Sequence, residues 1–274
     1  MRPRIQCLLA AALLLAAGCG TGFDEERETV RPLKVAHALG ESKVPGQGKR
    51  PLALTDGALD AILALRQEPV AALLPGERVP GYLRGRGVDV RPPLNASRLL
   101  GVEVIDPDVI LGSKEAQGRL YDRLSEIAPT VMSEGGTAAN WKLDLRLFGE
   151  ALGRTNDAEA LLDGWDRTAA RVRSRLRSAA GTRVAVVRVL GDGLRVARPE
   201  AFPGKVLLDA GLEPAGERQG ADVVLVSRAP GARASLEALG LRKAIVVDDR
   251  LWWEGDGVLA ARAALRELER VLPR

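Results

Sequence analysis

Apolar positions along the chain change their period several times, and each change marks an element. Residues 51–55 form a short apolar run that predicts a buried strand. Over 57–65, Leu59, Ile62, Leu63 and Leu65 fall on one side of a helix. Residues 69–74 predict a second strand, and 76–87 is a loop rich in glycine and arginine. The stretch 102–112 holds a short helix end and then a buried strand over 109–112, followed by a helix over 120–127 and extended chain from 128. From 140 to 178 there is no proline, and apolar residues recur at helical spacing from Leu143 to Leu176. An interruption at 153–157 divides this stretch in two, and Thr155 or Asn156 can cap the second helix. That helix runs to about residue 177, long enough to bridge two lobes rather than sit inside one. Alternation then restarts, with strands over 183–189, 222–226 and 244–248 and helices over 203–210, 235–239 and 256–272. The pattern predicts an α/β protein of two lobes, 49–152 and 181–274, joined by a long connecting helix over 153–180.

Ahead of the lobes, Met1-Arg-Pro-Arg is a short basic start, and residues 5–17 are apolar but too few to span a bilayer as a permanent anchor. Small residues then lead into Cys19, which resembles the bacterial lipobox. Residues 1–18 are thereby read as a lipoprotein signal peptide and Cys19 as the lipidation site. The competing reading is an ordinary signal peptide with a chance cysteine, but the cysteine stands where a cleavage site belongs. Cys7 would leave with the signal and Cys19 would be consumed, so the mature chain would have no disulfide. Residues 19–48 are polar and poor in pattern and read as a flexible tether. The protein is expected outside the cytoplasm, held to the cell membrane by lipid on Cys19.

Composition narrows the chemistry. A single histidine, His37, argues against a His-based metal site, and two cysteines exclude four-cysteine zinc sites and iron–sulfur clusters. The 274 residues carry a net charge of +4, but acids and bases are interspersed, which fits solubility better than nucleic-acid binding. No Gly-x-Ser-x-Gly elbow, phosphate-binding loop or His-Glu-x-x-His is present. A triad would need His37, which lies in or near the tether. The carboxylate pairs Asp106/Asp108 and Asp248/Asp249 read as turn and strand-end residues, and Asp56 as a helix cap. Two lobes without a reactive group point to a binder rather than an enzyme, with no cofactor and no metal of its own.

Several segments carry a family resemblance. Residues 49–65 followed by Glu68-Pro-Val, the Pro-Asp-Val-Ile-Leu-Gly-Ser run at 107–113, and above all residues 121–131 resemble iron-siderophore ABC-transporter substrate-binding proteins. Residues 141–162 are similar to that family's helical pair, and 201–212 to the opening of its second lobe. The resemblance implies a helical-backbone periplasmic binding protein fold of two Rossmann-like lobes. It also implies a monomer that passes a ferric siderophore to an ABC permease. Several departures matter. The second lobe reads as shortened on both sides of the strand at 222–226. Lys114 is kept where relatives continue with Arg and His. Leu100 stands in the register of an acid that docks on the permease, with Glu103 only nearby, and Glu217 is the corresponding candidate in the second lobe.

The resemblance, with the chemistry of a bulky oxygen-edged chelate, directs attention to aromatic and cationic residues at strand C-terminal ends. Trp252 and Trp253 follow the strand at 244–248. Read as extended chain they point to opposite sides, so at most one need line the cleft; at least one of the two is expected in the site, with packing in the core beneath the last helix as the competing reading. Arg188 lies within a strand that should be buried and needs a partner or a cleft. Arg91, Lys114 and Arg198 are the other cationic candidates, with a solvated surface charge as the competing reading for Arg91. Trp141 and Trp165 sit at helical apolar spacing and are expected in the core. Cobalamin and haem are the alternative ligands. An orphan lipoprotein that keeps the fold for a structural or protein-interaction role is the alternative class.

Overall fold

The computed structural model describes residues 31–74, 78–95, 99–136 and 140–272. The signal segment and Cys19 lie outside them. The first element is not a tether but a hairpin of β1 (Leu33–His37) and β2 (Gly40–Val44). Val35 and Val44 are fully buried, and the Ser42 hydroxyl donates to the Thr130 carbonyl at 2.7 Å. The alternation is so short, and its outward residues so polar, that the segment looks like linker until the surface it covers is known. His37 belongs to this hairpin and packs edge-on against Tyr121, with ring centroids 5.4 Å apart.

The first lobe contains β3 (Pro51–Ala53), α1 (Asp56–Ala64), β4 (Ala71–Leu73), β5 (Val90–Arg91), α2 (Leu99–Ile105), β6 (Val109–Ser113), α3 (Lys114–Gln117), α4 (Tyr121–Ile127) and β7 (Thr130–Ser133). Its sheet runs β5-β4-β3-β6-β7 with every pair parallel. The order reverses between β3 and β6, the place where such sheets open a crevice at their C-terminal ends. Thr55 caps α1 by accepting from the Ala58 N–H, so Asp56 is the first residue of the helix and not its cap. The turn reading of Asp106 and Asp108 holds: Asp106 has φ 53°, and Asp108 accepts the Lys49 N–H at 2.6 Å.

Two helices connect the lobes, α5 (Trp141–Ala151) and the 21-residue α6 (Thr155–Arg175). The second lobe follows with β8 (Arg183–Leu190), β9 (Gly193–Val196), α7 (Phe202–Asp209), β10 (Glu213–Pro214), β11 (Val223–Arg228), β12 (Ile245–Val246), α8 (Asp249–Trp253) and α9 (Val258–Val271). Its parallel order is β10-β8-β11-β12, with β9 returning antiparallel on β8. The helix expected over 235–239 is a run of turns, and β12 has only two residues. The crossover from β11 to β12 therefore carries no helix. One helical turn forms, with the Leu239 N–H donating to the Ser235 carbonyl at 3.2 Å, and Gly240 at φ 66° ends it before a second turn.

One core runs through both lobes, with Ile62, Leu145, Trp165, Leu207, Leu265 and Leu268 in a single cluster. Trp141 and Trp165 meet edge-to-face at 5.1 Å within it, as their spacing predicts, and the Trp165 Nε1 donates to Asp209 at 2.8 Å. The Asp60 side chain of α1 ties the lobes further. Its two oxygens accept the backbone N–H groups of Leu259 and Ala260 at 3.0 and 2.9 Å, so a first-lobe carboxylate caps a second-lobe helix. A continuous core and a capping bond across the junction oppose wide hinge motion.

Candidate functional site

A cavity of about 320 Å³ lies where the two lobes meet. Gly136 and Trp141 line it from the loop after β7 and the start of α5. The second lobe supplies Arg195 to Arg198 from β9 and its exit, Phe202 and Lys205 from the first turn of α7, and Trp253 to Asp256 from the turn between α8 and α9. Ala201, Phe202 and Pro203 at the N-terminus of α7 line the same space, and no side chain caps that helix end.

The two adjacent tryptophans divide their roles. Both lie in α8 rather than in extended chain, so their side chains diverge by a helical step instead of pointing opposite ways. Asp248 caps this helix, accepting the Leu251 N–H at 2.8 Å. Trp252 is fully buried under the cavity, and its Nε1 donates to Glu267 of α9 at 2.7 Å. Trp253 is half-buried and lines the cavity, with the Arg188 guanidinium 5.8 Å from its ring centroid.

Arg188 is the centre of a fixed ion-pair network. It donates to both oxygens of Asp249, at 2.8 and 2.6 Å, and to Glu254 at 3.3 Å. Burial works against its charge, but the two carboxylates overcome that and raise its pKa. Ser227 donates to the same Asp249 at 2.8 Å, and Arg250 holds Glu254 from the other side at 2.7 Å. The charge in the strand therefore has partners, and its visible work is to fix the Trp253 ring.

The remaining candidates scatter. Arg198 lines the cavity, with the exposed Glu200 at 3.4 Å. Lys114 pairs with Glu134 at 3.2 Å, next to Glu115, whose side chain packs on Gly136 of the lining. Arg91 pairs with Asp89 at 2.8 Å and lies in a separate depression with Leu73, Pro92 and Ile105. Glu103 lines a third depression with Asp106, Arg123 and Glu126, and Glu217 is exposed on the second lobe. Among the described residues, no group of three acidic, histidine or cysteine side chains is arranged to hold a metal ion, and no helix is long and apolar enough to cross a membrane.

Sequence patterning missed Arg195, Phe202 and Lys205. A usable signal existed for Arg195: the Gly-Asp-Gly run at 191–193 marks a tight hairpin that returns a strand beside β8. It also missed the carboxylates gathered beneath the cavity. Burial raises Asp60 and Asp144 to about 7, and Asp56 and Asp256 to about 6. Arg250 lowers Asp56 and Lys205 lowers Asp256, each without reversing the effect of burial.

Residues 101–249 match the family model described as periplasmic binding protein, and the chain belongs to that family. Its members are binding proteins and not enzymes. The chain is 28% identical over 215 residues to the probable siderophore-binding lipoprotein YfiY of Bacillus subtilis (strain 168), covering 74% of this chain and 64% of that protein. It is 28% identical over 176 residues to the achromobactin-binding periplasmic protein of Dickeya dadantii (strain 3937), covering 60% and 55%. The matched region is thus less than two thirds of either curated relative. The periplasmic solute binding protein of Mycobacterium smegmatis shares the fold with a TM-score of 0.73, at 19% identity over 87% of this chain and 96% of that one.

Proposed function

We propose that the chain is a lipid-anchored substrate-binding protein of an ABC importer, capturing a ferric siderophore between its lobes and delivering it to a membrane permease. The observation that carries this reading is Trp253, held at the cavity wall by Arg188 with Arg195, Arg198 and Lys205 around it. An indole face and several cationic donors suit a preassembled chelate with apolar arms and oxygen edges, and the chelator supplies every bond to iron. The names of the two curated relatives support the same ligand class. Trp253, Arg188 and Arg198 are the proposed ligand residues, Trp252 their support from below, and Lys114 a residue near the first-lobe rim. Arg91 would meet only a ligand that extends well beyond the cavity.

Titrating the full-length protein in detergent with a panel of ferric siderophores should give saturable tryptophan quenching with at least one of them. Replacing Trp253 with phenylalanine should abolish most of that signal. A panel that leaves the fluorescence of all four tryptophans unchanged would remove the siderophore reading. It would favour an orphan lipoprotein, for which the crossover without a helix is the supporting observation.

Membrane attachment is proposed through lipid on Cys19. In cells, Cys19→Ser should lose metabolically incorporated fatty acid and move from the membrane to the soluble fraction; label retained on the serine variant would refute it. Permease docking is assigned to the outer surfaces carrying Glu103 and Glu217. On the first lobe, exposed Leu100 and Val104 flank Glu103 on α2.

A further inference from the structure

Strand β9 places Arg195 directly opposite Arg188. Residues opposite one another in an antiparallel pair project from the same face, about 5 Å apart at their β-carbons, and like charges in that position repel. Arg188 is balanced by Asp249 and Glu254. Arg195 is exposed, lines the cavity and has no ion pair among the described residues. Arg195 is thus an arginine in water at the cavity wall without a carboxylate of its own, beside an Arg188 whose charge is already matched.

The rest of the lining does not restore the balance. The other ionisable groups there are Arg198, Lys205, Glu254 and Asp256. Glu254 is already shared between Arg188 at 3.3 Å and Arg250 at 2.7 Å. Arg198 has only the exposed Glu200 at 3.4 Å, a pairing that water and salt weaken. The open side of the cavity is cationic, and the low-dielectric wall formed by Trp253 and Phe202 strengthens its field.

From this juxtaposition we infer that Arg195 selects the ligand by charge, and that the ligand is an anionic iron chelate with carboxylate or catecholate oxygens rather than a neutral hydroxamate. The inference rests on the siderophore reading above. The chelate's negative edge sits against the Arg195 guanidinium, and its apolar arms lie on Trp253. Ligand binding supplies the counter-charge that the hairpin lacks.

Calorimetric titration of the full-length protein in detergent tests this with three probes. Ferric citrate and a ferric tris-catecholate are anionic, and a cyclic ferric trihydroxamate carries no net charge. At least one anionic chelate should bind ten times more tightly than the trihydroxamate, and its affinity should fall as ionic strength rises. Arg195→Gln should weaken that chelate at least tenfold with an unchanged melting temperature, whereas Arg195→Lys should keep most of the affinity. Equal or tighter binding of the trihydroxamate would overturn the inference and leave the siderophore reading standing. So would a glutamine variant that binds the anionic chelate like the wild type. Failure of all three probes to bind would remove both.

Discussion

Truncating Trp252 to alanine should lower the unfolding free energy by about 3–5 kcal/mol, the range for removing a large aromatic side chain from a packed interior. The residue is fully buried between the cavity and α9, so its loss leaves a void that neighbours in both lobes cannot fill. It also removes the 2.7 Å bond to Glu267, leaving that mostly buried carboxylate with Arg270 at 2.9 Å as its remaining side-chain partner. Trp252→Phe keeps most of the ring and should cost about 1.5–3 kcal/mol, the worth of a hydrogen bond to a charged group. Trp253→Ala should cost less than Trp252→Ala, because half of its surroundings is the open cavity. Urea unfolding of the three variants decides this. If Trp253→Ala proves the more damaging change, the division of roles between the two tryptophans is wrong.

The second large effect is on pH dependence. Asp60 is fully buried, and burial raises its pKa from 3.8 to about 7 against the pull of the Leu259 and Ala260 N–H groups. The folded state therefore holds this proton more tightly than the unfolded chain. Its contribution is favourable below about pH 4 and is lost as pH rises through about 7, a swing on the order of 4 kcal/mol. The groups acting on Asp60 come from every side: Asp256 before α9 raises its pKa, the α9 amides lower it, and the phenol of Tyr82 lies within its field. Asp56, Asp144 and Asp256 titrate in the same sense, whereas His37, whose pKa is lowered by burial, acts oppositely below its ordinary value of 6.5. Asp60→Asn removes one titration without altering the others' sign. Denaturant curves at several pH values should show a flatter fall in stability from pH 4 to 7 in the variant than in the wild type. Parallel pH profiles for the two proteins would contradict the assignment.

The cap and the cavity illustrate what one-dimensional patterning reaches. Asp60 reads as one more polar position on α1, and nothing near it in the chain announces α9, 199 residues further on. Arg188 was legible as a buried charge in need of a partner; Asp249 and Glu254 were not legible as that partner, because they arrive from another element. In sequence the hairpin over 33–44 looks like linker because two buried valines are a weak signal until the surface they cover exists. The short helix expected over 235–239 stops after one turn because Gly240 takes the left-handed backbone conformation there.

Periodicity and turn chemistry alone determined two α/β lobes and the long helix between them. These follow from local rules, in which each residue's neighbours in sequence decide its face and its backbone. Only the tertiary structure decided which tryptophan faces the cavity, which arginine is neutralised and which is left with its charge, and that a carboxylate of one lobe caps a helix of the other. Burial and Coulomb energy depend on distance in space, and across the junction of these lobes that distance is set by the packing of α1, α5, α6 and α9 rather than by spacing along the chain.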